Sequence, residues 1–154
     1  MKGKQEVIDI LNKALAEELT SINQYMLHSE MCEDWGYGKL HEAVEARAIV
    51  EMKHAEKLIG RILFLEGMPI VSELEPMYIG STVQKQLEND RAAEFEAIQL
   101  YNEAVALTTK LADNGSKVLV ESILTDEEDH IDWIEEQLSL IEQMGLQVYL
   151  NHQI

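Results

Sequence analysis

Residues 51–54 read EMKH and residues 127–130 read EEDH, so the chain carries the pattern Glu-x-x-His twice. Residues three positions apart on an α-helix project from the same side, so each segment predicts a helix that directs a carboxylate and an imidazole toward one point. A single Glu-x-x-His has little meaning in a chain this rich in glutamate, because such pairs arise by chance. The pattern decides the fold only if its surroundings repeat as well.

The surroundings do repeat. A glutamate stands 33 residues before the glutamate of each Glu-x-x-His, at Glu18 and at Glu94. Each of these is followed seven residues later by a tyrosine, Tyr25 or Tyr101. Seven residues is nearly two helical turns, so each glutamate shares a helix face with its tyrosine. The sequence thus predicts two similar halves, each with a Glu helix and a Glu-x-x-His helix.

Helical periodicity runs through the chain, and no segment alternates convincingly like a strand. It predicts four long helices, at about residues 4–34, 39–66, 82–112 and 116–144, and a short fifth helix at about 146–154, whose apolar residues would be poorly buried on one subunit. Gly36-Tyr37-Gly38 and Asn114-Gly115 predict two tight hairpins, which residues 67–80 join by a long crossover. This order predicts an all-α, ferritin-like four-helix bundle with up-down-down-up topology. We expect one domain over residues 1–154, with the bundle at about 4–144.

The four glutamates of the repeat lie in apolar stripes, because leucine, isoleucine, valine and alanine recur around them at spacings of three and four. Four carboxylates in one core repel one another and lose hydration, and two divalent cations would neutralise them. Helices that supply Glu, Glu-x-x-His, Glu and Glu-x-x-His carry the ligand set of a di-iron carboxylate bundle. Such ligands suit iron or manganese, with zinc as a competitor. The predicted metal-binding and catalytic residues are Glu18, Glu51, His54, Glu94, Glu127 and His130.

The internal symmetry assigns a role to each ligand. Glu18 and His54 would bind one metal, and Glu94 and His130 the other, while the glutamates of the two Glu-x-x-His segments would bridge both. The two tyrosines would form hydrogen bonds to the ligands rather than bind metal themselves. The alternative is a metal-free network of protonated glutamates and hydrogen-bonded histidines.

Composition excludes several classes of protein. The net charge of −17 argues against a nucleic-acid partner, since phosphate binding needs clustered lysine and arginine. The acidic surplus would either keep the surface soluble or line a route for cations. One cysteine, Cys32, rules out a disulfide framework. No apolar run is as long as a signal peptide or a membrane span, so we expect a cytoplasmic protein without a membrane partner.

The chain resembles the bacterioferritins over its whole length. The resemblance is carried by INQY at residues 22–25, EMKHA at 51–55, RILFLEG at 61–67, DEE at 126–128, HIDW at 130–133 and MGLQ at 144–147. It implies a homo-oligomeric cage of 24 subunits, with the fifth helix at the four-fold axes. It also implies oxidation of Fe(II) by O2 or H2O2 at an intrasubunit di-iron centre, with storage of ferric mineral in the cavity. The six ligand positions all match this family.

Met52 is the second residue that the resemblance singles out. It follows Glu51 by one residue, which turns it about 100° away from the metal face. In bacterioferritins a methionine here binds a haem b shared by two subunits, and this haem would relay electrons from a ferredoxin-like reductant. The alternative is a dimer-interface methionine without haem. Glu45, Ala46 and Val50 depart from the family, because many members have tyrosine, histidine and aspartate there and use the last two as an inner-surface iron site.

Two other functions compete with iron storage. One is a peroxide-reducing, rubrerythrin-like oxidase, although a single cysteine cannot form the usual Cys-x-x-Cys module. The other is a non-catalytic cage subunit that binds haem or iron. Outside the repeat, we expect His28 and His41 to lie at the surface or an interface, because neither has a carboxylate at ligand spacing. We expect Cys32 to be a small buried hydrophobic residue.

Overall fold

The chain folds into five helices without a strand, and a computed structural model describes all of residues 1–154. The helices are α1 (Gln5–Asp34), α2 (Gly38–Phe64), α3 (Val83–Lys110), α4 (Asn114–Met144) and α5 (Leu146–Asn151). The predicted all-α class, the long crossover between the second and third helices and the short fifth helix are therefore confirmed. None of the helices combines the length and apolar composition that a membrane crossing requires.

Contacts between helix ends establish the up-down-down-up topology. The backbone N–H of Gly3, before α1, donates to the carbonyl of Leu65 at the end of α2, at 2.9 Å. Lys4 Nζ donates to the carbonyl of Leu111, just after α3. Arg61 in the last turn of α2 reaches Asp113, the residue before α4, at 2.9 Å. The starts of α1 and α4 thus lie beside the ends of α2 and α3.

Two apolar clusters fill the bundle, one toward each end. The larger contains 13 buried residues from all four long helices and lies at the end where α1 begins. The smaller contains seven, including Leu40, Ile134 and Tyr149, and lies at the opposite end. Burying one large aliphatic side chain contributes about 1.5–3 kcal/mol, so the clusters hold the bundle together on either side of a polar layer. Along every long helix, the glutamate of the repeat lies between the two clusters.

The turn between α3 and α4 differs from the prediction. We expected it at residues 114–115, but both belong to the first turn of α4, and the chain turns at Ala112, whose φ is 55°. Asp113 caps α4 by accepting a hydrogen bond from the Ser116 backbone N–H at 3.0 Å. Gly115 packs closely against Arg61 rather than making the turn, and a Cβ there would lie 2.6 Å from Arg61 Nη2, so the guanidinium would have to shift.

The crossover is fastened to one polar face of α1. Asn12, Thr20, Gln24 and His28 accept hydrogen bonds from the backbone N–H groups of Ile70, Glu75, Tyr78 and Gly80, at 2.8 to 3.2 Å. Because these acceptors recur along one face of the helix, they hold a connection that has no regular structure of its own. The expectation of a surface His28 is wrong, since its side chain is fully buried and its Nδ1 lies 2.9 Å from Asp90 Oδ1.

The fifth helix is only partly available to other subunits. We expected its apolar residues to be poorly buried on one subunit, yet Tyr149 is 1% exposed and donates to Gln137 Oε1 at 2.9 Å. Val148 and Ile154 do remain exposed, at 50% and 73%. Gly145 separates α4 from α5 with φ 82° and ψ 148°, a conformation that other residues rarely adopt.

Candidate metal centre

The structure brings the six predicted ligands together in the polar layer. Glu18, Glu51, His54 and Glu127 present ligand atoms that all lie within 4.8 Å of one another, and Glu51, Glu94 and His130 form a second such set. The four glutamates and His54 are at most 2% exposed, and the His130 side chain is 9% exposed. Glu51 belongs to both sets, so the two halves of the repeat meet at one place.

His54 directs its Nδ1 atom at the carboxylates. Nδ1 lies 3.4 Å from Glu18 Oε2, 3.4 Å from Glu51 Oε2 and 3.2 Å from Glu127 Oε1. The opposite nitrogen, Nε2, donates to Asp126 Oδ2 at 2.8 Å. A carboxylate behind a histidine fixes the ring and leaves the inner nitrogen free for a metal. Sequence reasoning missed Asp126, although its position directly before Glu127 could have suggested it.

His130 occupies the equivalent position in the second half. Its Nδ1 lies 2.7 Å from Glu94 Oε1. Its ring stacks on Trp133 with centroids 6.1 Å apart and meets the edge of Tyr25 at 5.3 Å. No carboxylate holds the outer nitrogen, so aromatic packing orients this ring instead of a hydrogen bond.

The two tyrosines connect the halves crosswise. Tyr101 on α3 donates to Glu18 Oε1 on α1 at 2.5 Å, and Tyr25 on α1 donates to Glu94 Oε1 on α3. Both tyrosines are fully buried, and burial raises the pKa of each well above its ordinary value. They therefore keep their protons and act as fixed donors to the outer carboxylates.

Burial and mutual repulsion make the metal-free centre hold protons. Burial, followed by the charge of Glu51, raises the pKa of Glu18 well above its usual range, and burial with Glu94 does the same for Glu127. Burial opposes the charge of His54, but the nearby carboxylates of Glu127, Glu18 and Glu51 favour it and raise its pKa to about 12. The pKa values of Glu51 and Glu94 are lowered despite burial, because neighbouring groups donate hydrogen bonds to them.

Among the six predicted ligands, four buried atoms lack hydrogen-bond partners. They are Glu18 Oε2, His54 Nδ1, Glu94 Oε2 and Glu127 Oε1. A buried carboxylate oxygen without a donor is costly, and protein cores avoid it unless a ligand supplies the partner. All four are atoms that bind metal ions, so the residues present fit a pair of divalent cations.

Arg47 also touches the centre, and sequence reasoning missed it. Its Nε donates to Glu51 Oε1 at 2.6 Å, and its Nη2 lies 3.1 Å from Glu127 Oε1. Nη1 donates to the backbone carbonyl of Asp126 at 3.0 Å. The signal was in the sequence, because an arginine four residues before a glutamate on a helix faces it.

A further acidic group lies beside the centre. Glu17, Glu75 and Glu96 line a small enclosed cavity of about 40 Å³. Burial, then the charges of Glu75, Glu96 and Glu94, raises the pKa of Glu17 to about 7. Part of the acidic surplus is thus concentrated next to the centre rather than spread over the surface.

Met52 points away from the metal ligands, as its position predicts. Its side chain is 45% exposed and borders a mostly apolar groove of about 350 Å³ between α1 and α2. Ile22, Met26 and Ile49 also line the groove, and Glu45 lies at its border. An exposed thioether in an open apolar groove fits half of a haem pocket that a second subunit would complete.

The remaining candidates lie outside both sites. Cys32 is 2% exposed, as expected of a small buried hydrophobic residue. His41 does have a carboxylate partner, contrary to expectation, because its Nε2 lies 3.5 Å from Glu45 Oε2. Ala46 and Val50 offer no ligand atoms.

Comparisons with known proteins find a family model and several relatives that match nearly the whole chain. A family model described as a ferritin-like domain matches residues 8–144. The chain is 46% identical over 147 residues to a bacterioferritin of Rhodobacter capsulatus, covering 96% of this chain and 91% of that protein. It is 44% identical to a bacterioferritin of Brucella melitensis, covering 97% and 92%. It is 41% identical to one of Mycobacterium avium, covering 97% and 94%.

Proposed function

Because the chain belongs to the bacterioferritins, within the ferritin-like family, we propose that it oxidises Fe(II) at an intrasubunit di-iron centre and stores the ferric product in a 24-subunit cage. Iron storage follows from membership of the family. The oxidation chemistry rests on one observation, which is the convergence of buried, unpartnered carboxylate and imidazole atoms from four helices. Membership of the family favours iron storage over a rubrerythrin-like peroxidase. The buried ligand atoms favour it over a cage subunit without catalytic activity.

Each ligand has a proposed role. Glu18 and His54 would bind one iron, and Glu94 and His130 the other. The glutamates of the two Glu-x-x-His segments would bridge them. Glu51 supports this because it belongs to both ligand sets. Glu127 supports it because it belongs to the second half of the repeat, yet its Oε1 lies 3.2 Å from His54 Nδ1 of the first half.

The protein's own groups would prepare the centre for two-electron chemistry. The iron pair supplies the electrons that reduce O2 or H2O2, and the carboxylates keep the two irons adjacent so that both electrons leave together. Tyr25 and Tyr101 hold the outer glutamates by their hydroxyl groups. Asp126 holds the His54 ring through Nε2. The surrounding apolar clusters keep bulk water from the carboxylates.

Rapid-mixing measurements of Fe(II) oxidation test this proposal. The Glu18→Ala/Glu94→Ala protein should lose the fast phase, because each iron loses an outer carboxylate. The matched control is Glu56→Ala/Glu128→Ala, which removes two exposed glutamates from the Glu-x-x-His helices and should keep it. Fast oxidation in the first double variant would contradict the assignment.

The same family membership supports a haem b shared between two subunits, with Met52 as its axial ligand. A ferredoxin-like partner would then deliver electrons for iron release. Met52→Leu removes the sulfur lone pair and should abolish the haem absorbance bands while leaving Fe(II) oxidation fast. Met68→Leu, in the exposed crossover, is the control and should keep both. If the haem absorbance bands persist in Met52→Leu, Met52 is not a haem ligand and is only an interface residue.

A further inference from the structure

Building on the proposed di-iron function, we propose that Arg47 is a positioning residue that competes with the second metal ion for the bridging carboxylates. It would make the centre release oxidised iron rather than retain it. The inference rests on where the guanidinium lies, which oxygens it occupies and how the charges of the centre add up.

Arg47 is held in place from two helices. It lies on α2, one turn before Glu51, and its Nε donates to Glu51 Oε1 at 2.6 Å. Its Nη1 donates to the Asp126 carbonyl on α4 at 3.0 Å, and its Nη2 faces Glu127 Oε1 at 3.1 Å. Its side chain is 11% exposed. The guanidinium therefore spans the gap between the two helices whose glutamates would bridge the metals.

The charge of Arg47 is permanent in this position. Burial works against that charge, but Glu51 and Glu127 raise the arginine pKa above its already high ordinary value. A guanidinium does not lose its proton in proteins. A metal ion that binds these oxygens must therefore push the charged guanidinium aside. His54 differs, because it can give up a proton and then bind the metal itself.

The contacts divide the oxygens of Glu51 between two cations. Glu51 Oε2 faces His54 Nδ1 at 3.4 Å and is open to the first metal. Glu51 Oε1 is occupied by Arg47. A carboxylate that bridges two metals uses both oxygens, so the second metal must take Oε1 from the guanidinium. Arg47 thus weakens binding of the second metal at Glu51. At Glu127 it faces Oε1, which also lies 3.2 Å from His54 Nδ1, so the first metal meets the guanidinium at only one of the carboxylates around it.

The total charge of the centre also disfavours retention of oxidised iron. Two divalent cations neutralise the four carboxylates, so Arg47 leaves one positive charge in excess. When each iron loses an electron, the excess rises by two. Like charges at close range in a buried site repel strongly. The guanidinium therefore opposes accumulation of the oxidised pair and favours its departure toward the mineral.

The test is a Co(II) titration of the metal-free cage, followed by absorbance and calorimetry. Arg47→Gln keeps a hydrogen-bonding side chain without the charge, and should bind the second Co(II) about tenfold more tightly than wild type, about 1.4 kcal/mol. Lys57→Gln removes one positive charge from the exposed face of the same helix and should bind like wild type.

A second measurement does not require a stable metal-free variant. Cages loaded with Co(II) during preparation are diluted into a chelator, and metal loss is followed over time. Loss of the second Co(II) should be slower in Arg47→Gln than in wild type. If both proteins bind the second Co(II) with equal affinity and lose it at an equal rate, the proposed role of Arg47 is wrong, while the proposed di-iron function is unaffected. If wild type binds no Co(II) at these residues, the proposed function fails as well.

Discussion

At the scale of single residues, protons and one guanidinium would compete with metal ions for the carboxylates of the centre. The pKa values of Glu18 and Glu127 are raised well above their usual range, and that of His54 is raised to about 12. All three therefore hold their protons to a higher pH than free side chains do, and a metal ion must displace those protons.

We predict that metal binding releases protons and that affinity rises with pH. Groups whose pKa is raised hold their protons until the pH approaches the raised value, so acidification strengthens the competitor and weakens the metal. Calorimetric titration with Zn(II) at pH 6, 7 and 8, in buffers of different ionisation enthalpy, measures both effects. Binding without proton release, or affinity that is flat with pH, would contradict the protonated centre.

We predict that Tyr25→Phe slows Fe(II) oxidation or weakens metal binding about 10- to 100-fold, the usual cost of losing a hydrogen bond behind a ligand. The change removes only the hydroxyl that holds Glu94 Oε1. Tyr78→Phe is the control, because that tyrosine is 59% exposed in the crossover. If Tyr25→Phe oxidises Fe(II) and binds metal as well as Tyr78→Phe does, the Tyr25 hydroxyl does not position the ligand.

The convergence of the six proposed ligands was predictable, because their repeat and the apolar stripes around them can be read from local sequence spacing. The spacing of Arg47 to Glu51 on α2 could have been recognised, but the contact of Arg47 with Glu127 and that of Asp126 with His54 depend on how α2 packs against α4. The burial of His28 was missed for the same reason, since its partners Asp90 and Gly80 come from α3 and the crossover. Sequence spacing reveals neighbours on one helix, whereas partners across helices appear only after packing.

At the scale of helices and loops, a capping residue explains why the boundary between α3 and α4 differs from the predicted one. Asn114-Gly115 resembles a turn signal, but Asp113 accepts hydrogen bonds from both the backbone N–H and the hydroxyl of Ser116. Arg61 adds a hydrogen bond to the same carboxylate. These contacts start α4 at Asn114 and leave Ala112 to make the turn.

We predict that Asp113→Ala destabilises the subunit by about 1–2 kcal/mol, because it removes an N-cap and the carboxylate that accepts from Arg61 Nη2. For a domain of this size that corresponds to a fall of about 2–8 °C in melting temperature. Asp129→Ala, which changes an exposed aspartate within α4, is the control and should melt like wild type. A melting temperature unchanged by Asp113→Ala would show that the cap contributes nothing.

At the scale of the whole subunit, the two apolar clusters position a polar layer that is unfavourable without metal. Each cluster draws on all four long helices or on their ends, so the layer cannot relax without disturbing the core. The fold thus accepts a local cost in order to present carboxylates at a fixed separation, which is common at functional sites.

We predict that metal stabilises the folded protein. Ligands that bind only the native state stabilise it by about 2.7 kcal/mol at a hundred times their dissociation constant. The melting temperature should therefore rise by about 5 °C or more with Zn(II) or Mn(II). The Glu18→Ala/Glu94→Ala protein should show little rise. A wild-type protein that melts at the same temperature with and without metal would argue against a buried cluster of ionisable carboxylates.

The most direct test of the account is anomalous diffraction at the iron edge from crystals of the assembled protein soaked anaerobically in Fe(II). We predict two strong peaks in every subunit, one between Glu18 and His54 and one between Glu94 and His130, with Glu51 and Glu127 between the peaks. The same crystals report whether the subunits form a closed cage of 24. Absence of iron from these residues, or a single peak elsewhere in the subunit, would contradict the di-iron centre.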